Sequence, residues 1–114
     1  MRFFLLALAV ASVVACDTAP LEPLPFQVGI EASRTAAAPG DTINFLVTAQ
    51  GGSLIGIITN YGDDSTESFG TSGARTARVT FRHAFRVRGM YTITAVVTDV
   101  TLGEKSAKVD IRVN

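Results

Sequence analysis

The chain has 114 residues, with ten Lys or Arg against ten Asp or Glu, enough for one domain with its own core and too little for two. A formal net charge of zero argues against bulk nucleic-acid binding, which needs a basic footprint. A single Cys excludes an intrachain disulfide, and a single His leaves too few ligands for a zinc site.

Residues 1–15, MRFFLLALAVASVVA, carry one charge, Arg2, then an apolar run from Phe3 to Val14. That run is too short for a membrane-spanning helix, which needs about 20 residues. It suits the apolar region of a secretory signal. Removing it leaves nine basic against ten acidic side chains. Where a small-residue cleavage site is expected, the chain reads Val13-Val14-Ala15-Cys16. This resembles the lipobox of bacterial lipoproteins. The resemblance implies cleavage before Cys16, a diacylglycerol on its thiol and acylation of its amine. It also implies an exported protein held on a membrane of the bacterial cell envelope. An ordinary signal peptide or an uncleaved anchor is the alternative. Residues 16–25 follow as the lipidated Cys and a spacer. Pro20, Pro23 and Pro25 fix φ and remove backbone donors, so DTAPLEPLP reads as an extended tether.

From Phe26 onward the apolar period is two. Phe26, Val28 and Ile30 alternate with polar or small residues. The same period of two runs through Ile43, Phe45, Val47 and Ala49, then Ala77, Val79 and Phe81, then Tyr91, Ile93, Ala95 and Val97, and finally Ala107, Val109, Ile111 and Val113, with intervening residues that are polar or charged except Leu46 and Val96. The run from Leu54 to Thr59 is apolar on both faces and reads as a central strand. Turn residues separate the runs: Pro39-Gly40-Asp41, Gln50-Gly51-Gly52-Ser53, Arg88-Gly89 and Gly103-Glu104. Short half-buried strands with regular turns predict an all-β antiparallel sandwich or barrel over residues 26–114.

Three landmarks sharpen that expectation. Asn60-Tyr61-Gly62-Asp63-Asp64 resembles the W-D-F-G-D-G signature of PKD domains, His83-Ala84-Phe85 their H-x-Y, and Gly89 to Asp99 (GMYTITAVVTD) their G-x-Y-T-V-T-L-T-V-T-D. Order and spacing agree over residues 26–114. The resemblance implies an immunoglobulin-like antiparallel sandwich of about seven strands, an extracytoplasmic module and no enzyme activity. It makes Tyr61, Gly62, Asp63, His83, Phe85, Gly89, Tyr91 and Asp99 structural motif residues. It places His83 to stitch a strand to the turn at Asp63. The chain departs from the pattern in three places. The family Trp falls at Thr59, leaving Phe81, Phe85 or Tyr61 to fill the space. Asp64 stands for the second Gly of the turn, and Phe85 for the Tyr.

Asp63, Asp64 and Glu67 lie close in sequence among glycines and hydroxyls. A turn carboxylate can accept backbone N–H bonds, and the same three oxygens form a candidate calcium set. Their spacing is not that of an EF-hand loop. An acid/base pair is the third reading, with no catalytic residue assigned. Arg75, Arg78, Arg82, Arg86 and Arg88 are the densest charge run. They read as a solvated face that guards a sheet against edge pairing, or as a patch for acidic polysaccharide, lipid headgroups or an acidic partner. The expected function is therefore a lipid-anchored, non-catalytic binding or scaffolding module for a protein partner, with no resident cofactor. The alternatives are a carbohydrate- or cell-wall-binding module, or an accessory subunit of a surface hydrolase. A carbohydrate strip would draw on Tyr61 and Phe69.

Overall fold

The computed structural model describes residues 24–114. The leader, Cys16 and most of the Pro-rich tether lie outside the described residues. Within them the chain is all strand: β1 Gln27–Ala32, β2 Ala36–Ala37, β3 Thr42–Asn60, β4 Thr66–Ala84, β5 Gly89–Asp99 and β6 Gly103–Val113. The two long strands, each of 19 residues, serve both layers of a sandwich. The first part of β3 pairs antiparallel with β1 and with the second half of β4 (Gln27↔Gln50, Val47↔Val79). Its last part pairs with the first half of β4 and with β5 (Ile58↔Ser68, Ile58↔Val96). β6 lies beyond β5, and β2 runs parallel to the end of β6 (Ala37↔Val113).

The crossing point in β3 explains a difference from expectation. Gln50-Gly51-Gly52-Ser53 reads as a turn in sequence, yet it is the interior of one strand. The pairing register slips between Gln50 and Leu54, and again between Leu54 and Gly56. The offset is two residues each way against β4 (Gln50↔Thr76, Leu54↔Ala74, Gly56↔Gly70) and one against β5 (Leu54↔Asp99, Gly56↔Thr98), and the inward parity of β3 changes across these irregularities. Burial follows: Ile43, Phe45, Val47, Ala49 and Gly51 are buried, then Leu54, then Ile57, Thr59 and Tyr61. The double irregularity bends the strand from one sheet to the other and keeps an apolar face inward throughout. β4 makes the matching bend at Ser72 and Gly73, both with positive φ (51° and 82°).

The core forms where the alternation places it. Ile43, Phe45 and Val47 from one sheet are fully buried together with Ile93, Ala95 and Val97 from the other. Leu54, Ile57, Phe81, Phe85, Ile111 and Val113 complete it. Tyr91 is half-buried at the rim, and Thr92 is exposed. The PKD-type position of the missing Trp, Thr59, is fully buried, and Tyr61 is buried two residues on.

Candidate functional site

The acidic turn joins β3 to β4 and is built by local hydrogen bonds. Asn60 Oδ1 accepts from the Gly62 N–H at 2.8 Å. Asp63 Oδ1 accepts from the Ser65 N–H at 3.2 Å and from the Ser65 hydroxyl. The Tyr61 N–H closes the loop onto the Ser65 carbonyl at 3.1 Å. Side chains of Asn and Asp favour such turns because they bond their own backbone two residues on. Asp64 adopts φ 71°, the left-handed conformation that Asp tolerates better than most residues. It therefore does the work of the glycine it replaces. Gly62, at φ 78°, has no such substitute: a Cβ there would lie 2.8 Å from the Thr92 carbonyl oxygen.

His83, on β4, reaches back to this turn. Its Nε2 lies 2.7 Å from Asp63 Oδ2, and its ring stacks on Tyr61 with centroids 3.9 Å apart and planes 5° from parallel. The stack continues edge-on to Phe85 at 4.8 Å, and Phe85 lies over Tyr91 at 4.3 Å. The Tyr91 hydroxyl donates to the Val87 carbonyl at 2.6 Å, the tyrosine-corner arrangement of immunoglobulin-like sandwiches. The Tyr61 hydroxyl donates to Glu67 at 2.7 Å. Burial, then that hydrogen bond, then the charges of Glu67 and Asp63 all push the Tyr61 phenol pKa upward. For Asp63, burial works against ionisation, but the bonds from Ser65 and His83 outweigh it and hold the carboxyl below its ordinary value.

The three carboxylates of the candidate calcium set thus have separate environments. Asp63 serves His83 and Ser65, Glu67 serves Tyr61, and Asp64 is exposed. Among the described residues, no three His, Cys, Asp or Glu side chains cluster as metal ligands. Nor does the turn assemble a nucleophile relay. Ser65 Oγ and Asp63 both approach the same ring nitrogen, Nε2, at 3.5 and 2.7 Å, and the Ser65 hydroxyl donates to Asp63. A triad needs the carboxylate on one imidazole nitrogen and the hydroxyl on the other. Ser65 was the residue sequence reasoning missed here; the Asp-x-Ser spacing of an Asx turn was the available signal.

Asp99 forms a second lock. Its Oδ2 accepts from the Gly52 and Ser53 N–H groups, both at 2.7 Å, and its Oδ1 from those of Thr101 and Leu102 at 3.0 and 3.1 Å. Only 2% of the residue is exposed. Burial opposes its charge, but the four backbone donors lower its pKa to about 2. This carboxylate ties the bend of β3 to the β5–β6 turn. Gly51 leaves it room, since a Cβ there would lie 2.6 Å from Asp99 Oδ2.

The arginines do not converge on these locks as a group. Arg78 and Arg82 are exposed on β4, opposite Thr48 and Asn44. Arg75 is exposed nearer the bend, and Arg86 and Arg88 lie in the loop before β5. Arg86 alone lines the shallow cleft beside Asp63, Ser65, His83 and Tyr91. Of the two aromatics on which a carbohydrate-binding strip would draw, Tyr61 is buried against His83, whereas Phe69 is 49% exposed.

Comparison with solved structures agrees with the sandwich. The PKD domain of an M14-like peptidase from Thermoplasmatales archaeon SCGC AB-540-F20 superposes with a TM-score of 0.68 at 21% identity, covering 81% of this chain and 96% of that one. The CARDB domain of PF1109 from Pyrococcus furiosus, in solution, gives 0.62 at 20% identity, over 77% and 93% of the two chains. The PKD domain of the human VPS10 domain-containing receptor SorCS2 gives 0.59 at 18% identity, over 89% and 87%. No protein-family model matches the chain, and no curated protein does. The fold is that of the PKD- and CARDB-type immunoglobulin-like sandwich.

Proposed function

We propose that this chain is a non-catalytic binding or scaffolding module of the bacterial cell envelope, tethered through a lipid on Cys16 and engaging a protein partner. The observation that carries the non-catalytic reading is the Asp63–His83–Ser65 geometry. The titratable groups with catalytic potential are spent on one another, and they hold β3, β4 and the intervening turn together. The tether supports the anchoring. The extended segment expected from the prolines of residues 17–25 corresponds to a reach of roughly 28 Å at about 3.1 Å per residue, enough to lift a small domain off a bilayer surface. Two or more acyl chains give stable anchoring, because each buried CH₂ contributes about 0.8 kcal/mol.

Mass spectrometry of the membrane fraction tests the anchoring: the mature chain should begin at Cys16 and carry two or three acyl chains. A free thiol at Cys16 or an intact Met1 start refutes it. Affinity capture from solubilised membranes tests the scaffolding role. A protein partner retained by the wild type is expected. Hydrolysis of a cell-wall polymer by the purified protein would overturn the non-catalytic reading.

A further inference from the structure

The tether enters the sandwich at a particular end. β1 starts with Gln27 opposite Gln50, where β3 reaches its bend. The Asp99 carboxylate joins that bend, through the Gly52 and Ser53 N–H groups, to the β5–β6 turn, through those of Thr101 and Leu102. The Lys105 ammonium donates to the Phe26 carbonyl at 2.8 Å, which pins the last residue before β1 close to the same turn. Chain arriving from Cys16 therefore joins the domain at the end that carries residues 99–103. The acidic turn, His83 and the loop with Arg86 and Arg88 lie at the opposite end, where Asp63 meets His83 and Met90 pairs with Arg112.

The tethered end presents an apolar tip. Val100, Thr101 and Leu102 form a three-residue turn between β5 and β6, closed by Gly103 at φ 90°, a common hairpin form with glycine in the left-handed position. Val100 and Leu102 are 61% and 49% exposed. All three N–H groups of the turn are already bonded: Val100 to the Ser53 carbonyl at 2.9 Å, Thr101 and Leu102 to Asp99. The tip can thus enter apolar surroundings without stripping water from free donors, the cost that usually opposes such a move. Its one carboxylate, Asp99, is buried under those bonds. Exposed Arg75 and Lys105 flank the tip, against exposed Glu104. Among the described residues neither cation forms a salt bridge.

We infer that the β5–β6 turn is a membrane-contact tip: Val100 and Leu102 dip into the bilayer that holds the Cys16 lipid, and Arg75 and Lys105 meet anionic headgroups. The inference rests on the anchoring proposed above. Position selects the lipid surface as the occupant, because the tether enters the fold beside this turn. Tethering also makes the encounter intramolecular and its effective concentration high. Two side chains then suffice, where so small a contact would not hold an untethered protein. The contact orients the domain, turning the end with Arg86, Arg88 and Met90 away from the membrane.

The lipidated protein in vesicles of phosphatidylethanolamine and phosphatidylglycerol tests the inference. Cys16 is the chain's one cysteine, so with it acylated Leu102→Cys supplies a single free thiol for an environment-sensitive fluorophore. Its emission should shift to the blue and be quenched by a spin label carried on the acyl chains. Met90→Cys, at a position that is also exposed and apolar but at the opposite end, should show neither effect. Val100→Asp in the Leu102→Cys chain should abolish both. Omitting phosphatidylglycerol should weaken both, and a response equal in the two lipid mixtures strikes the roles of Arg75 and Lys105. Circular dichroism checks each variant, and Val100→Cys carries the test if Leu102→Cys does not fold. Flotation with the vesicles reports the anchor separately. A chain that floats with an unshifted, unquenched probe at position 102 overturns the inference and leaves the anchoring intact; a chain that does not float overturns both. A response that grows with the protein-to-lipid ratio marks contact between copies and also overturns the inference.

Discussion

Two adjacent residues of β5 should respond oppositely to the same perturbation. Ile93 is fully buried opposite Val109, whereas Thr94 lies on the outer face between Asn60 and Lys108 and is half-buried. Ile93→Ala removes three carbon groups, worth about 2.4 kcal/mol of transfer free energy at ~0.8 each. The cavity left among tightly packed neighbours adds to this, for a total of about 2–5 kcal/mol. In a domain of this size each kcal/mol lowers Tm by about 4–8 °C, so the variant should melt more than about 10 °C below the wild type. Thr94→Ala removes a β-branched residue from a central strand but opens no cavity, and should cost no more than about 1 kcal/mol. Urea and thermal melts of both proteins measure the difference. If Thr94→Ala were the more damaging, the pairing register would be off by one residue, and every inward assignment on β5 would fail with it.

Other consequences can be read by the same melts. The Asp99 carboxyl is held at about 2 against an ordinary value of 3.8, so its contribution is fully present above about pH 4 and is lost as pH falls through about 2. Asp99→Asn should therefore be less stable than wild type at neutral pH, with the gap closing in acid; a gap independent of pH would refute the carboxylate lock. Gly62 and Gly103 both have positive φ (78° and 90°), but only at Gly62 would a Cβ meet backbone, the Thr92 oxygen at 2.8 Å. Gly103→Ala should carry only the left-handed penalty of about 1–2 kcal/mol, and Gly62→Ala clearly more; equal losses would mean that the turn does not press on β5. Asp63→Asn weakens charge-assisted bonds from Ser65 and His83 and should cost about 1–3 kcal/mol. Calcium should leave the wild-type melt unmoved. A resident ion at 100 times its Kd would add about 2.7 kcal/mol, and such a rise, lost in Asp63→Asn, would replace the structural reading with a metal site.

What the sequence revealed of this fold depended on whether the signal was local. The alternation of Tyr91, Ile93, Ala95 and Val97 is a property of neighbouring residues, and the structure buries these side chains fully or in part. The stitch from His83 to Asp63 was legible because the two positions lie within spaced landmarks. The bend of β3 was not legible, since Gly51-Gly52 has the composition of a turn, and only the long-range bonds to Asp99 make it the interior of a strand. The strand Thr66–Ala74 was missed for a related reason. Its residues are mostly small or polar, and five of its first positions are exposed, so it has no alternation to display. Its strand conformation comes from the ladder to β3 rather than from a buried face of its own.

The aromatic column packs beside the chain's largest departure from the pattern. A hydroxyl stands at Thr59 where a PKD-type sequence has an indole, and Thr59 Oγ1 is buried without a hydrogen-bond partner among the described residues. Two residues later on the same inward face, Tyr61 stands at the signature's own aromatic position, its ring 5.8 Å from Phe45 and 3.9 Å from His83. Tyr61 brings a hydroxyl that needs an acceptor when buried, and Glu67 provides it. The carboxylates that first suggest a metal or an acid/base pair therefore have a packing origin. Glu67 satisfies the ring that fills the core, and Asp63 holds the imidazole that stacks on it.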